Sequence, residues 1–113
     1  MNSDEIKSTL MELLENYDQV MKEWPNKKAA HEKMHELKKT THSVLASHAQ
    51  GSSEAERQRN AYKDSKYLDY IETANSASLE FYKLDAKKLA IEKKLGILQS
   101  LLSFEKAFIE KTI

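Results

Sequence analysis

The chain contains no cysteine, which excludes disulfide bonds, thiol catalysis and cysteine-ligated zinc. With two glycines and one proline in 113 residues, it has too few turn formers for a many-stranded sheet. Eighteen basic and eighteen acidic residues cancel, so no overall field draws the protein to nucleic acid or to anionic lipid. No apolar run reaches the ~18 residues that cross a bilayer, and the N-terminus is acidic where a signal peptide would be basic. We therefore expect a soluble, cytoplasmic protein.

The apolar residues recur at the spacing of helices rather than of strands. Hydrophobic residues make up 40% of the chain, too many for a disordered protein. Pro25 is expected to end a first helix, because the residue before a proline is pushed out of the helical conformation. Ser53 and Glu56 fit a capping box that opens the last helix. We predict an all-α protein of one domain, residues 1–113, with helices over about 3–24, 26–50 and 53–111.

Charge favours pairing of the first two helices as an antiparallel hairpin across the Trp24–Pro25 turn. Residues 3–24 carry six acidic and two basic side chains, whereas residues 25–51 carry five lysines and two glutamates. Opposite net charges attract, which supports the hairpin. The second helix has less to bury, and its predicted apolar stripe is Ala30, Met34, Leu37, Thr41 and Val44, with Leu45 alongside.

The last predicted helix carries an almost unbroken heptad, which we call the seam. A repeat of 3.5 residues keeps one side of a helix facing a partner helix along its length. Only two of the seam positions are neither apolar nor aromatic. The seam consists of Tyr67, Tyr70, Ala74, Ala77, Phe81, Leu84, Lys88, Ile91, Leu95, Leu98, Leu102, Glu105 and Ile109.

The length of this helix raises the question of what covers the seam. Sixty helical residues extend about 90 Å, whereas each of the first two helices extends about 33–36 Å. The last helix could break and fold back, the two short helices could cover it in tandem, or a second copy could cover it. The regularity of the heptad favours self-association, so we predict a helical bundle or coiled coil that forms a homodimer through the seam.

A second apolar stripe lies off the seam on the same helix. It consists of Ile97, Leu101, Phe104 and Phe108, spaced four, three and four residues apart. Such a stripe is expected to bind either the first helix or a foreign partner.

The string His31-Glu32-Lys33-Met34-His35 matches the H-E-x-x-H pattern. On a helix it places two imidazoles one turn apart, where His31 and His35 could bind Zn²⁺ and Glu32 could act as a general base. The charged surroundings, and a following sequence unlike that of the metzincins, favour a solvated helix face instead. Metal binding through His31 and His35 is therefore the weakest of the hypotheses.

Two basic groups raise a nucleic-acid hypothesis. Lysines and four histidines cluster between residues 27 and 48, and a second group opens the last helix beside three tyrosines that could stack on bases. Acidic residues interleaved with the second group dilute its field, so a charged helix surface is the alternative. The candidate contacts are Lys27, Lys28, Lys38, Lys39, Arg57 and Arg59.

Several runs in the C-terminal half resemble small helical proteins encoded by the early recombination or replication gene blocks of bacterial viruses. The resemblance rests on residues 56–57, 67–70, 81–90 and 98–103. Many of those proteins carry an Arg-Ser pair where this chain has Gln99-Ser100. The resemblance implies a non-enzymatic accessory protein that acts by binding another protein, and it transfers no functional residues.

We accordingly expect a non-enzymatic interaction protein, an adaptor, inhibitor or accessory factor, that needs no cofactor. Its partner is another protein, and it acts through apolar helix faces. Nucleic-acid binding through the basic faces of residues 27–48 and 57–66 is the alternative function. The predicted interface residues are Tyr67, Tyr70, Phe81, Leu84, Ile91, Leu95, Leu98, Leu102, Phe104 and Phe108.

Overall fold

The computed structural model describes residues 1–112, with all their side chains except those of Glu110 and Thr112. The protein is all-α, as predicted, and the described residues form no strand. Its helices are α1 (Ser3–His48), α2 (Glu54–Tyr62) and α3 (Ser65–Thr112). None of these helices combines the length and the apolar character that crossing a bilayer requires. The chain divides into two compact units: unit 1 contains residues 1–25 and 83–113, and unit 2 contains residues 26–82.

Helix α1 runs through Pro25, so the predicted break and the predicted hairpin at Trp24–Pro25 are both wrong. A proline inside a helix removes one backbone hydrogen bond and crowds the preceding turn. Here Pro25 lies on the exposed side, and both neighbouring turns are fixed to α3. The indole Nε1 of Trp24 donates to Asp85 at 3.0 Å, and the Lys27 ammonium reaches Glu80 at 2.9 Å. These contacts hold the backbone helical on either side of the proline.

Unit 1 is an antiparallel pair made from the start of α1 and the end of α3. Asn2 caps α1, because its side-chain oxygen accepts from the Glu5 amide at 2.8 Å. Glu105 accepts from the Ser3 amide at 3.0 Å, placing a carboxylate at the positive end of the helix. The core between the two segments includes Ile6, Val20 and Leu98.

Lys88 is the one lysine of the seam and lies in unit 1, where its ammonium group extends out of the interface. Lys88 Nζ bonds Glu92 at 2.9 Å and lies 4.8 Å from the centre of the Trp24 ring. The hydrogen bond to Glu92 is the largest cause that raises the pKa of Lys88. The aliphatic stem can therefore pack in the seam while the charge stays paired.

Unit 2 also pairs α1 with α3, through a face of α1 that only partly matches the predicted stripe: Met34, Thr41 and Leu45 of that stripe are half-buried. The inward side chains include Lys27, His31, Met34 and His42. The predicted stripe positions Ala30, Leu37 and Val44 are exposed, so that part of the stripe was wrong. Because α1 is continuous, its heptad phase carries over to Lys27, His31 and Met34 instead of restarting after Pro25.

The predicted last helix is two helices, because the chain leaves the helical conformation between Tyr62 and Ser65. At the end of α2 the Lys63 and Asp64 amides donate to carbonyls three residues earlier. The Asp64 carboxylate then accepts from the Lys66 amide at 2.8 Å, which caps α3. An aspartate that bonds nearby backbone favours a new helix start over a helix interior.

The start of α2 has the predicted cap. Ser53 Oγ accepts from the Glu56 amide at 3.2 Å. The Glu56 carboxylate reaches back one residue further than in the usual capping box, to the hydroxyl of Ser52 at 2.9 Å and its amide at 3.2 Å. The bond from the Ser52 hydroxyl, and then that from its amide, lower the pKa of Glu56.

Candidate functional site

The seam is the inward face of α3 within a single chain. Its only exposed member is Ile109. Tyr67, Phe81 and Leu98 are buried, and the others are half-buried. The predicted interface residues that lie inward are thus Tyr67, Tyr70, Phe81, Leu84, Ile91, Leu95, Leu98 and Leu102.

Helix α1 supplies the cover for the seam in each unit. In unit 1 Trp24 and Ser3 contact α3, and in unit 2 the Tyr70 hydroxyl donates to the Met34 carbonyl. This is the tandem arrangement that the sequence left open, achieved by one helix instead of two. A homodimer through the seam stays a prediction, and it would require α1 to be displaced.

The second apolar stripe, which we call the apolar strip, is exposed. It consists of Ile97, Leu101, Phe104 and Phe108, and its two phenylalanines are 72% and 62% exposed. Met1 lies beside it, and together with Ile6 and Glu105 borders a groove of about 270 Å³ against Leu101 and the phenylalanines. Helix α1 therefore leaves most of the strip's surface uncovered. Adjacent exposed side chains of this size mark an interaction surface more often than isolated ones do.

Lysines bracket the apolar strip at both ends. Lys94 precedes Ile97 by three residues, and Lys111 follows Phe108 by three, so both continue the helical spacing of the strip. Both are exposed, and neither forms an ion pair with any side chain that the structure describes. The surface is thus apolar in the middle and positively charged at its ends.

Gly96 lies at the edge of the strip, in a helix interior where glycine is less favourable than alanine. A Cβ built at this position would meet no atom within 4 Å. Gly96, Ile97 and Phe104 border the same shallow surface, together with Lys93. The missing side chain leaves room for a partner to approach the backbone.

Gly96→Ala is expected to stabilise the free protein by about 0.5–1 kcal/mol, because alanine restricts the unfolded chain and meets no obstruction. Urea unfolding followed by far-UV circular dichroism measures the change. Ala90→Gly, at another exposed position of α3, is the matched control and should cost a similar amount. A loss of stability in Gly96→Ala would contradict the open space beside this residue.

The H-E-x-x-H histidines do not share an environment. His31 faces inward: its Nδ1 lies 2.8 Å from the Ser78 hydroxyl, and its ring stacks on Phe81 with centroids 5.1 Å apart. His35 is exposed, and its ring centroid lies 6.5 Å from that of His31. Among the side chains that the structure describes, no group of three or more His, Asp or Glu residues is placed to hold a metal ion. His31 has a packing role, and metal binding by His31 and His35 stays a prediction.

The predicted nucleic-acid contacts fall into separate places. Lys27 pairs with Glu80 at 2.9 Å, and Lys28 lies 3.9 Å from Glu32. Arg57 donates to the Gly51 carbonyl at 3.3 Å, so its guanidinium helps to hold the α1–α2 connection. Arg59 is exposed on α2, and Lys38 and Lys39 border a cleft in unit 2.

That cleft forms around a buried histidine, one of the four that the sequence grouped with the lysines of residues 27–48. His42 is 8% exposed, and its Nε2 donates to the Gln58 carbonyl at 3.2 Å. Its ring stacks on Tyr62 with centroids 3.8 Å apart, and Tyr67 meets both rings edge-on at 5.4 Å. The heptad of α1 carried through Pro25 falls on Thr41 and Leu45, next to His42 and not on it, so no sequence pattern predicted this cluster.

Comparison of the chain with protein-family models, with curated proteins and with solved structures finds no match. The resemblance to small helical proteins of bacterial viruses accordingly stays a prediction, and the functional argument rests on the surfaces described above.

Proposed function

We propose that this protein is a non-enzymatic interaction protein that binds an amphipathic helix of another protein on its apolar strip. The observation that carries the proposal is the exposure of Phe104 and Phe108, at 72% and 62%. Burying a phenylalanine is worth about 1.5–3 kcal/mol relative to leaving it exposed. A partner that covers both rings would therefore gain much of the affinity of a typical specific complex.

The spacing of the strip favours a helix as the ligand. Its four residues follow one another at four, three and four positions, which is the spacing that helix pairs use for lengthwise packing. A partner helix would present its own apolar residues at the same spacing, as in helix-in-groove recognition. The open backbone at Gly96 supports close approach at one end of the strip.

The bracketing lysines favour a partner with acidic residues flanking its apolar face. Such residues would meet Lys94 at one end of the strip and Lys111 at the other. Self-pairing is disfavoured for the same reason. An antiparallel pair would bring Lys94 against Lys111 of the second copy, and a parallel pair would bring like lysines together. The foreign partner that the sequence analysis left open is therefore the occupant we propose.

The proposal predicts binding of a synthetic peptide of roughly four helical turns, with leucines at the spacing of the strip and glutamates at both ends. Fluorescence anisotropy of the labelled peptide measures the affinity. Phe104→Asp should weaken binding by about tenfold or more, because it buries a charge against apolar side chains. The same peptide with lysines in place of its glutamates should also bind about tenfold more weakly.

Leu89→Asp is the matched control for this experiment. Leu89 is 56% exposed on the same helix but lies outside the strip, so its substitution should leave peptide binding unchanged. Equal losses of peptide affinity in Phe104→Asp and Leu89→Asp, or no binding of the peptide by the wild type, would overturn the proposal. Light scattering adds a further arm: a dimer that Phe104→Asp dissociates would make a second copy the occupant, and it would also overturn the acidic partner.

A further inference from the structure

The cleft around His42 has the composition of a site for an anion that carries an aromatic ring. The apolar strip forms no part of this cleft. It has a volume of about 680 Å³, within the usual range for small-ligand sites. All of its lining belongs to unit 2, so one compact unit builds it. Its walls are formed by His35, Glu36, Lys38, Lys39, His42, Ser43, Tyr62 and Tyr67.

Tyr62 offers this cleft a fixed aromatic surface. One face of its ring is covered by His42 at a centroid distance of 3.8 Å, and Tyr67 holds the pair edge-on. Tyr62 is nevertheless 54% exposed and lines the cleft, so much of its surface is accessible there. His42 is itself held by its bond to the Gln58 carbonyl. The platform is therefore ordered before any ligand arrives, which lowers the entropic cost of stacking on it.

The charged side chains of the cleft favour an anion. Lys38 and Lys39 are exposed, and neither forms an ion pair with any residue that the structure describes. Glu36 is the one carboxylate in the lining, against these two lysines. Elsewhere in the same unit Lys27 and Lys28 are matched by glutamates, whereas Lys38 and Lys39 in the cleft are not.

We infer that this cleft binds a nucleoside phosphate, with the base stacked on Tyr62 and the phosphate held by Lys38 and Lys39. Stacking of one base on an aromatic side chain is worth about 1–3 kcal/mol, whatever the base. A phosphate adds a salt-dependent attraction to each lysine that it contacts. The same chemistry fits a free nucleotide and one unit of a single-stranded nucleic acid.

Two probes distinguish these sources. Calorimetry with adenosine monophosphate measures binding of the free nucleotide, and anisotropy of a labelled oligothymidylate at low salt measures binding of a single strand. Binding of either probe is expected, and a single-strand source predicts tighter binding of the oligonucleotide than of the mononucleotide. No binding of either probe would overturn the inference, and so would inorganic phosphate that competes as well as the nucleotide does.

Tyr62→Leu should weaken binding at least about fivefold, because it removes the stacking surface. Tyr62→Phe keeps the ring and should bind as the wild type does, with an unchanged helical circular dichroism spectrum. Tyr82→Leu is the matched control, since Tyr82 is 57% exposed in the same unit but lies outside the cleft. Equal losses in Tyr62→Leu and Tyr82→Leu would refute stacking on Tyr62.

The double variant Lys38→Gln/Lys39→Gln should weaken binding and lower the salt dependence of oligonucleotide affinity by a slope of about 1.4. Lys27→Gln/Lys28→Gln, whose lysines are already paired, should keep the wild-type slope. Equal slopes in the two double variants would show that the cleft lysines do not hold the phosphate, and the inference would fail.

Discussion

Phe81→Ala is expected to lower the free energy of unfolding by about 3 kcal/mol, whereas Phe104→Ala should change it by less than about 0.5 kcal/mol. The two phenylalanines lie on one helix, but Phe81 is 8% exposed and Phe104 is 72% exposed. Truncating Phe81 leaves a cavity beside His31 and Tyr82, whose ring centroids lie 5.1 and 5.5 Å from its own. The low end of the usual cost for buried phenylalanine applies, because two paired helices enclose a side chain less fully than a deep core does.

Urea unfolding, followed by circular dichroism at several protein concentrations, measures both changes. A loss of about 3 kcal/mol is a large share of the 5–15 kcal/mol that stabilises a typical domain, so its effect is readily resolved. Phe81→Leu is a useful control, because it keeps most of the buried volume and should cost less than the alanine. Similar losses of unfolding free energy in Phe81→Ala and Phe104→Ala would mean that the seam is not the buried face of α3.

The inward face of α3 was accessible to sequence analysis because its signal is local and repeated. A heptad identifies a face without knowledge of the partner, and twelve of the thirteen seam positions lie buried or half-buried. What the heptad does not specify is the molecule that covers it. Self-association was favoured because the heptad is so regular, and the continuous α1 supplies a cover for it within the chain.

The two errors in helix boundaries have opposite physical causes. At Pro25 a strong local signal is overridden by distant contacts, since Trp24 and Lys27 each bond α3. At Asp64 a weak local signal decides the outcome, because the carboxylate caps a new helix within two residues. Helix propensity alone predicts a break at Pro25 and a continuous helix at Asp64, which is the reverse of the structure.

The two binding surfaces were predictable to different degrees, because one depends on local spacing and the other on tertiary structure. The apolar strip follows from spacing within one helix, and the sequence analysis named all four of its residues. The cleft in unit 2 needs the phase of α1 and the α2–α3 break at once, because His42 comes from one helix and Tyr62 and Tyr67 from either side of the break. Only the tertiary structure brings these three rings together.

Pro25→Ala is expected to stabilise the protein by about 1–2 kcal/mol, the opposite of what a turn at this position would give. Alanine restores an amide that can donate to the Met21 carbonyl and removes the crowding of the ring, which together are worth up to about 3 kcal/mol in a helix interior. The unfolded chain also gains freedom when proline is lost, which offsets about 0.4–1 kcal/mol. The balance remains favourable because α1 is helical on both sides of the residue.

The urea midpoint and the circular dichroism at 222 nm measure the gain, and both should rise in Pro25→Ala. Ala29→Pro is the matched control: it places a proline at another exposed position of α1, and should cost about 3 kcal/mol. If residues 24–26 formed a turn, alanine would loosen it, and stability and helicity would stay level or fall. That outcome would support the hairpin, with Trp24 and Lys27 on separate helices. A rise in both the urea midpoint and the helicity would establish that α1 holds its proline at a cost in stability.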